Sequence, residues 1–205
     1  MQGISQKILN RVRGHGRGCW VCTPKDFLDL GSRDAVDKAL SRLVEQGVLR
    51  RIGRGIYDYP RISRILKRPA PPNIDATIAA LARRDGISIL PDSIVAAHQL
   101  GLTNAVPAQN TYITNGSSRT IQIGGRTLKL RHASPRLMAW ANRPGAPVVQ
   151  ALDWLGKNIA DDKDLVDTLR SRLSPEIKRD LVNGIRLLPT WMIPVVRQVS
   201  EGVTA

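Results

Sequence analysis

Hydrophobic positions in the first sixty residues recur with a period that changes along the chain, and the changes mark elements. Ile4, Ile8, Leu9 and Val12 fall at helical spacing, which predicts a short amphipathic helix over 4–13, ended by Gly14, Gly16 and Gly18. Cys19-Trp20-Val21-Cys22 is a short apolar run suited to a strand. In Thr23-Pro24-Lys25-Asp26, Thr is a good cap, Pro fits the first helical turn and Asp26 completes a Thr-x-x-acid pattern. This predicts a second helix over 24–30, carrying Phe27, Leu28 and Leu30 and stopped by Gly31. Ser32 caps a third, over 33–46, with the apolar stripe Val36, Ala39, Leu40, Leu43 and Val44, closed by Gly47. Beyond Gly47 the period becomes that of a strand. Residues 48–52, the turn Gly53-Arg54-Gly55 and residues 56–59 predict a hairpin ended by Pro60, with both glycines free to take positive φ.

The remainder reads as helix over 74–84, strand over 87–90, helix over 92–100 and strand over 111–114. Residues 120–123 and 126–131 alternate across Gly124-Gly125, a hairpin signal that sets Lys129 and Arg131 on one face and Leu128 and Leu130 on the other. Helices are expected over 135–142, 147–156, 162–173, 175–187 and 191–199. Pro69, Pro71 and Pro72 favour an extended stretch, which places a domain boundary near residue 70. The expected fold class is α+β. Residues 1–70 form a winged helix-turn-helix domain, and residues 71–205 a mixed, mainly helical α/β domain with a small sheet.

Composition narrows the function. Of 205 residues, 42% are hydrophobic, enough for real cores. No apolar run approaches about 18 residues, and MQGISQKILNRVRGHG has no apolar signal-like stretch, so no membrane association is expected. Two cysteines make no disulfide scaffold, which points to the reducing cytoplasm. Lys and Arg number 31 against 17 Asp and Glu, a formal net charge of +14, which favours a polyanionic partner. Residues 1–72 hold 15 Lys/Arg and 6 Asp/Glu, while residues 73–205 hold 16 and 11, so most of the excess is N-terminal. Arg61, Arg64, Lys67 and Arg68 have no acid between them.

The N-terminal order of helix, strand, helix, short turn, helix and hairpin is that of a winged helix-turn-helix. The Gly31-Ser32 joint sets two helices at an angle, so that the third can enter a major groove of double-stranded DNA. With Val36, Leu40 and Leu43 inward, the outward positions are Asp34, Lys38, Ser41, Arg42 and Glu45, and Arg33 lies at the amino-terminal edge. Arg33, Lys38, Ser41 and Arg42 are candidate base or phosphate donors; Arg50, Arg51 and Arg54 lie on the hairpin, where a wing meets the backbone or minor groove. Asp34, Asp37 and Glu45 dilute the helix's charge and leave open a fold used for protein contacts instead.

The run WVCTPKDFLDLGSRDAVDKALSRLVEQGVLRRIGRGIYDYP resembles the amino-terminal domain of AbiEi-type antitoxins, the regulatory half of abortive-infection, type IV toxin–antitoxin systems. TPKDF and LxRLVxxGxLRRIxRGxYxYP carry the resemblance, and LPDSIVAAHQLGL and TYITNG extend it in plan to the second domain. It implies a winged-helix repressor that binds inverted repeats in its own operon, and a second domain needed to counteract a nucleotidyltransferase-like toxin. Some relatives are solitary regulators. Carried onto this chain, DNA contact falls on the Ser32–Arg42 helix and the Arg50–Arg54 wing. Such a repressor acts as a monomer or a homodimer.

No enzyme motif competes strongly. Cys19 and Cys22 form a Cys-x-x-Cys, but only His15 is close in sequence, and a zinc site wants four ligands. The pair brackets Trp20-Val21 in the expected strand, with both thiols expected on one side, toward the core. Asp92 with Asp161-Asp162-Lys163 matches a metal-dependent nuclease signature, but that chemistry needs both pieces on adjacent strands, and here they open helices. The acidic tract reads as a helix cap. Arg119, Arg126, Lys129 and Arg131 could make a second nucleic-acid surface, meet an acidic partner or be a solvated sheet face. The expectation is a non-enzymatic regulator with no cofactor and no metal; the alternatives are a metal-dependent nuclease and a protein-interaction module.

Overall fold

The computed structural model describes residues 3–65, 67–105, 110–157 and 162–202; Asp161 lies outside them. The chain is mixed α+β and divides into two compact units, Met1–Ile87 with Ile121–Thr127, and Ser88–Thr120 with Leu128–Ala205. No helix among the described residues is long and apolar enough to cross a membrane.

The first unit contains α1 (Ile4–Gly14), β1 (Val21–Cys22), α2 (Arg33–Glu45), β2 (Arg50–Gly53), β3 (Ile56–Asp58) and α3 (Ile74–Asp85). Helical spacing does what it predicts: α1 buries Ile8, Leu9 and Val12, and α2 buries Val36, Ala39, Leu40 and Leu43. These side chains share one core with Cys22, Phe27, Leu49 and Tyr57. Phe27 is fully buried, and truncating such a ring costs about 3–5 kcal/mol. The strands form an antiparallel sheet in the order β1-β3-β2, with Val21 opposite Asp58 and Arg51 opposite Tyr57. Of the two hairpin glycines only Gly55 takes positive φ, at 66°; Gly53 ends β2 opposite Ile56, beside a bulge.

One expectation changes here. The helix expected over 24–30 is a single 3-10 turn, Pro24–Phe27. Its N-terminus is as expected: the Thr23 amide donates to Asp26 Oδ2 at 2.7 Å and the Thr23 hydroxyl to the same oxygen at 3.1 Å. The seven residues between Thr23 and Gly31 close on short i→i+3 bonds, Asp26 N–H to Thr23 C=O and Leu30 N–H to Phe27 C=O, instead of an α-helical ladder. The first unit runs to Ile87, and α3, beyond the proline stretch, packs within it. Arg83 of α3 donates to the Val21 carbonyl at 2.9 Å and to Asp26 Oδ1 at 3.2 Å, and Arg50 donates to the Ala70 carbonyl at 3.0 Å.

The second unit contains β4 (Ile89–Pro91), α4 (Ser93–Gln99), β5 (Asn110–Thr114), the first two residues of β6 (Arg119–Ile123) and most of β7 (Arg126–His132). Helices α5 (Pro135–Met138), α6 (Ala146–Leu155), α7 (Lys163–Arg172), α8 (Pro175–Asn183) and α9 (Met192–Val199) follow. Its sheet runs β4-β5-β7-β6, with β4 antiparallel and β7 parallel to β5. Leu128 and Leu130 are buried and Lys129 and Arg131 exposed, as the alternation predicts. Trp140, Leu152, Leu169, Leu181, Met192 and Val196 are among the buried residues of the helical core. Asp162 caps α7, its Oδ1 accepting from the Leu165 amide at 3.1 Å. The helix expected over 175–187 ends at Asn183, and a 3-10 turn, Ile185–Leu187, follows Gly184.

Candidate nucleic-acid interface

The apolar stripe of α2 fixes what its other face offers. Ser32 is the N-cap, its hydroxyl accepting from the Ala35 amide at 3.4 Å. Arg33 Nε donates to Asp37 Oδ2 at 2.8 Å across one turn. Lys38, Ser41 and Arg42 are exposed, as are Asp34 and Glu45. Neither Lys38 nor Arg42 forms an ion pair among the described residues.

On the hairpin, neighbouring arginines have opposite fates because successive strand residues face opposite sides. Arg50 is committed: Nη2 and Nε meet the Asp58 carboxylate at 2.6 and 3.0 Å, and Nη1 donates to Ala70. Asp58 is only 3% exposed, so Arg50 is its counter-charge before it is anything else. Arg51 is exposed, with one long bond of 3.4 Å from Nε to the Gly53 carbonyl. Opposite it sits Tyr57, whose phenol is pushed above its ordinary pKa, first by burial; Arg51 and Arg33 oppose that shift, and Asp37 and Cys22 add to it. Tyr57 also shares one buried core with Val36, Ala39, Leu40 and Leu43 of α2, so the hairpin packs on that helix. Arg54 is exposed at the turn, while its carbonyl accepts from Arg84 Nη1 at 3.1 Å. Arg84 is itself held by Asp85 at 2.7 Å.

The eight candidates therefore divide. Lys38, Ser41, Arg42, Arg51 and Arg54 present exposed donors. Ser32 and Arg33 are exposed but engaged within α2, and Arg50 is tied inward. Exposed guanidinium groups can fork onto phosphate or guanine edges, and a lysine ammonium supplies a point charge. Pattern reasoning passed over Tyr57, which packs in the core with α2, and Arg83 and Arg84, which hold the Val21 and Arg54 carbonyls. Two arginines in the last turn of α3 look like ordinary complements to a helix dipole.

The competing chemistries fare differently. Cys19 is exposed and Cys22 buried, so the two thiols do not share a side. The strand covers only Val21–Cys22, and residues three apart on extended chain face opposite ways. Burial pushes the Cys22 thiol up, keeping it neutral, and its sulfur lies 3.6 Å from the Tyr57 carbonyl. His15 stacks on Trp20, ring centres 4.1 Å apart. No group of three or more His, Cys, Asp or Glu among the described residues could hold a metal ion. Asp92 caps α4, accepting from the Ser93 amide at 2.7 Å, and pairs with Arg131 at 3.1 Å. Lys163 lies on α7 rather than on a strand. Lys129 stays exposed on β7, whereas Arg126 belongs to the first unit.

A family model described as a family of unknown function (DUF6088) matches residues 7–179. No curated protein matches the chain.

Proposed function

The chain belongs to the DUF6088 family, whose function is unknown, and we propose that it is a non-enzymatic, sequence-specific repressor that binds double-stranded DNA through its first unit. One observation carries the reading: Lys38 and Arg42 on α2 and Arg51 and Arg54 on the hairpin are exposed cations, and Tyr57 of the hairpin packs in one core with the buried face of α2. The β1-β3-β2 sheet and the placing of α2 before the hairpin support a winged helix-turn-helix with α2 as recognition helix, the 3-10 turn Pro24–Phe27 standing where its preceding helix would be. On this reading Lys38, Ser41 and Arg42 read base edges, and Arg51 and Arg54 hold phosphates.

The resemblance to AbiEi-type antitoxins supports a narrower form of the proposal. The chain represses its own operon at inverted repeats, as a monomer or homodimer in the cytoplasm, and its second unit counteracts a nucleotidyltransferase-like toxin. A neighbouring reading frame of that type, and rescue of growth on co-expression, test the toxin half. Mobility shifts on operator and scrambled duplex test the DNA half. Salt-dependent binding should favour operator, and Lys38→Ala or Arg42→Ala should erode the preference while Arg54→Ala weakens both duplexes alike. A protein retaining full operator preference after both α2 changes would sink the assignment. Exposed Asp34 and Glu45 favour a second reading, a protein-binding module; it expects a stable protein complex and no operator shift at moderate salt.

A further inference from the structure

The first unit carries a cleft of about 640 Å³ that the DNA reading does not use. Arg50, Arg61, Arg68 and Arg126 line it with Pro71 and Pro72, and no carboxylate lines it among the described residues. We propose that this cleft is a binding site for a small phosphorylated ligand of nucleotide size.

Three features argue for a ligand. The volume lies in the range of small-molecule sites, about 300–1,000 Å³, and is far too small to admit a duplex. The cations are available: Arg61, Arg68 and Arg126 are exposed and form no ion pair among the described residues. Arg50 is the exception, and its bond to Asp58 neutralises the one carboxylate of the adjoining cleft, of about 320 Å³. Arginine forks match phosphate oxygens two at a time, so several converging on one cleft select oligophosphate over a single carboxylate.

The walls are also fixed in advance. The Ala70 amide donates to the Arg61 carbonyl at 2.7 Å and the Ser63 amide to the Arg68 carbonyl at 2.9 Å, closing the base of the loop that carries Arg61 and Arg68. Prolines 69, 71 and 72 have fixed φ. Gly124 donates to the Ile52 carbonyl at 2.9 Å and packs so tightly that a Cβ there would lie 2.6 Å from Pro72 Cγ. Preformed walls reduce what a ligand must order. Arg50 and Arg51 alternate along β2, so the cleft opens on the face of the strand away from Arg51 and Tyr57.

The test is calorimetric titration of the full chain with inorganic tripolyphosphate, beside two variants of equal charge loss: Arg61→Gln with Arg126→Gln, and Lys38→Gln with Arg42→Gln. Saturable one-to-one binding is expected for wild type and for the α2 pair, and at least tenfold weaker binding for the cleft pair. Equal weakening by both pairs would mean diffuse attraction to a basic chain and would overturn the site. So would the absence of saturable binding, or a duplex oligonucleotide that displaces tripolyphosphate and depends on Arg61 and Arg126 as strongly. Arg126→Gln alone, at an exposed turn, repeats the measurement should the double change disturb folding. Because the readout needs no DNA, failure of the repressor reading leaves it intact.

Discussion

The two units use arginine in different ways. In the second, with 13 Lys/Arg against 9 Asp/Glu, several arginines hold the fold together. Arg143 grips Asp180 at 2.7 Å while that carboxylate also accepts from the Gly145 amide; Arg170 holds Glu201, and Arg172 the Leu100 carbonyl. The first unit has 18 Lys/Arg against 8 Asp/Glu, more cations than its own acids can satisfy. Arg11, Arg50 and Arg83 pair with Asp29, Asp58 and Asp26. Lys38, Arg42, Arg54, Arg61, Arg68 and Arg126 form no ion pair among the described residues. A surplus that folding does not consume is a surface suited to an outside anion, whereas a paired arginine belongs to stability.

Crossing the two kinds of residue tests that division. The largest effect is expected from Lys38→Ala with Arg42→Ala: on the proposed function operator affinity falls by roughly 2–5 kcal/mol in mobility shifts, while the unfolding free energy changes by less than about 0.5 kcal/mol. Arg50→Ala should do the reverse. It strands Asp58, 3% exposed, and chemical denaturation should register a loss of roughly 2–3 kcal/mol, discounted for the 29% exposure of Arg50. An Arg50 variant of unchanged stability would break the comparison. Arg54→Ala should weaken operator and scrambled duplex by the same factor and lower the salt slope by about one.

The smallest effect lies in the second unit. Burial, the leading cause, holds the Asp153 carboxyl above its ordinary pKa; Arg131 opposes the shift and Asp92 adds to it. With the folded value raised, the unfolded chain releases the proton first, so Asp153 costs stability as pH rises past about 4. Asp153→Asn should therefore match wild type in strong acid and unfold at a slightly higher temperature toward neutrality, a small gain because Asp153 is exposed. A gain that shrinks as pH rises would contradict this sign.

Where one side chain sees one environment, the linear pattern was enough. The stripe Val36-Ala39-Leu40-Leu43 gave α2 its inward face and hence Lys38, Ser41 and Arg42 their outward one. Alternation gave the burial of Leu128 and Leu130. Pattern failed where partners come from far along the chain. Nothing in Arg50-Arg51 distinguishes the arginine that neutralises Asp58 from its exposed neighbour, because register across β2 and β3 decides it. The grip of Arg83 on Val21, 62 positions away, likewise has no local signature. The cleft arginines were visible as a run of charge around Arg61 and Arg68, but Arg126 joins them only through folding.

Arg83 and Arg84 are adjacent in α3, yet one fastens the Val21 carbonyl on an outer strand and the other the Arg54 carbonyl at the hairpin tip. A single helix turn thus braces the small sheet at two separate places. On the proposed DNA-binding reading, a tip whose backbone carbonyl is already held has less main-chain freedom to surrender on docking, while the Arg54 side chain itself still has to be ordered. On that reading, the two arginine braces lower the backbone ordering that wing contacts would otherwise require.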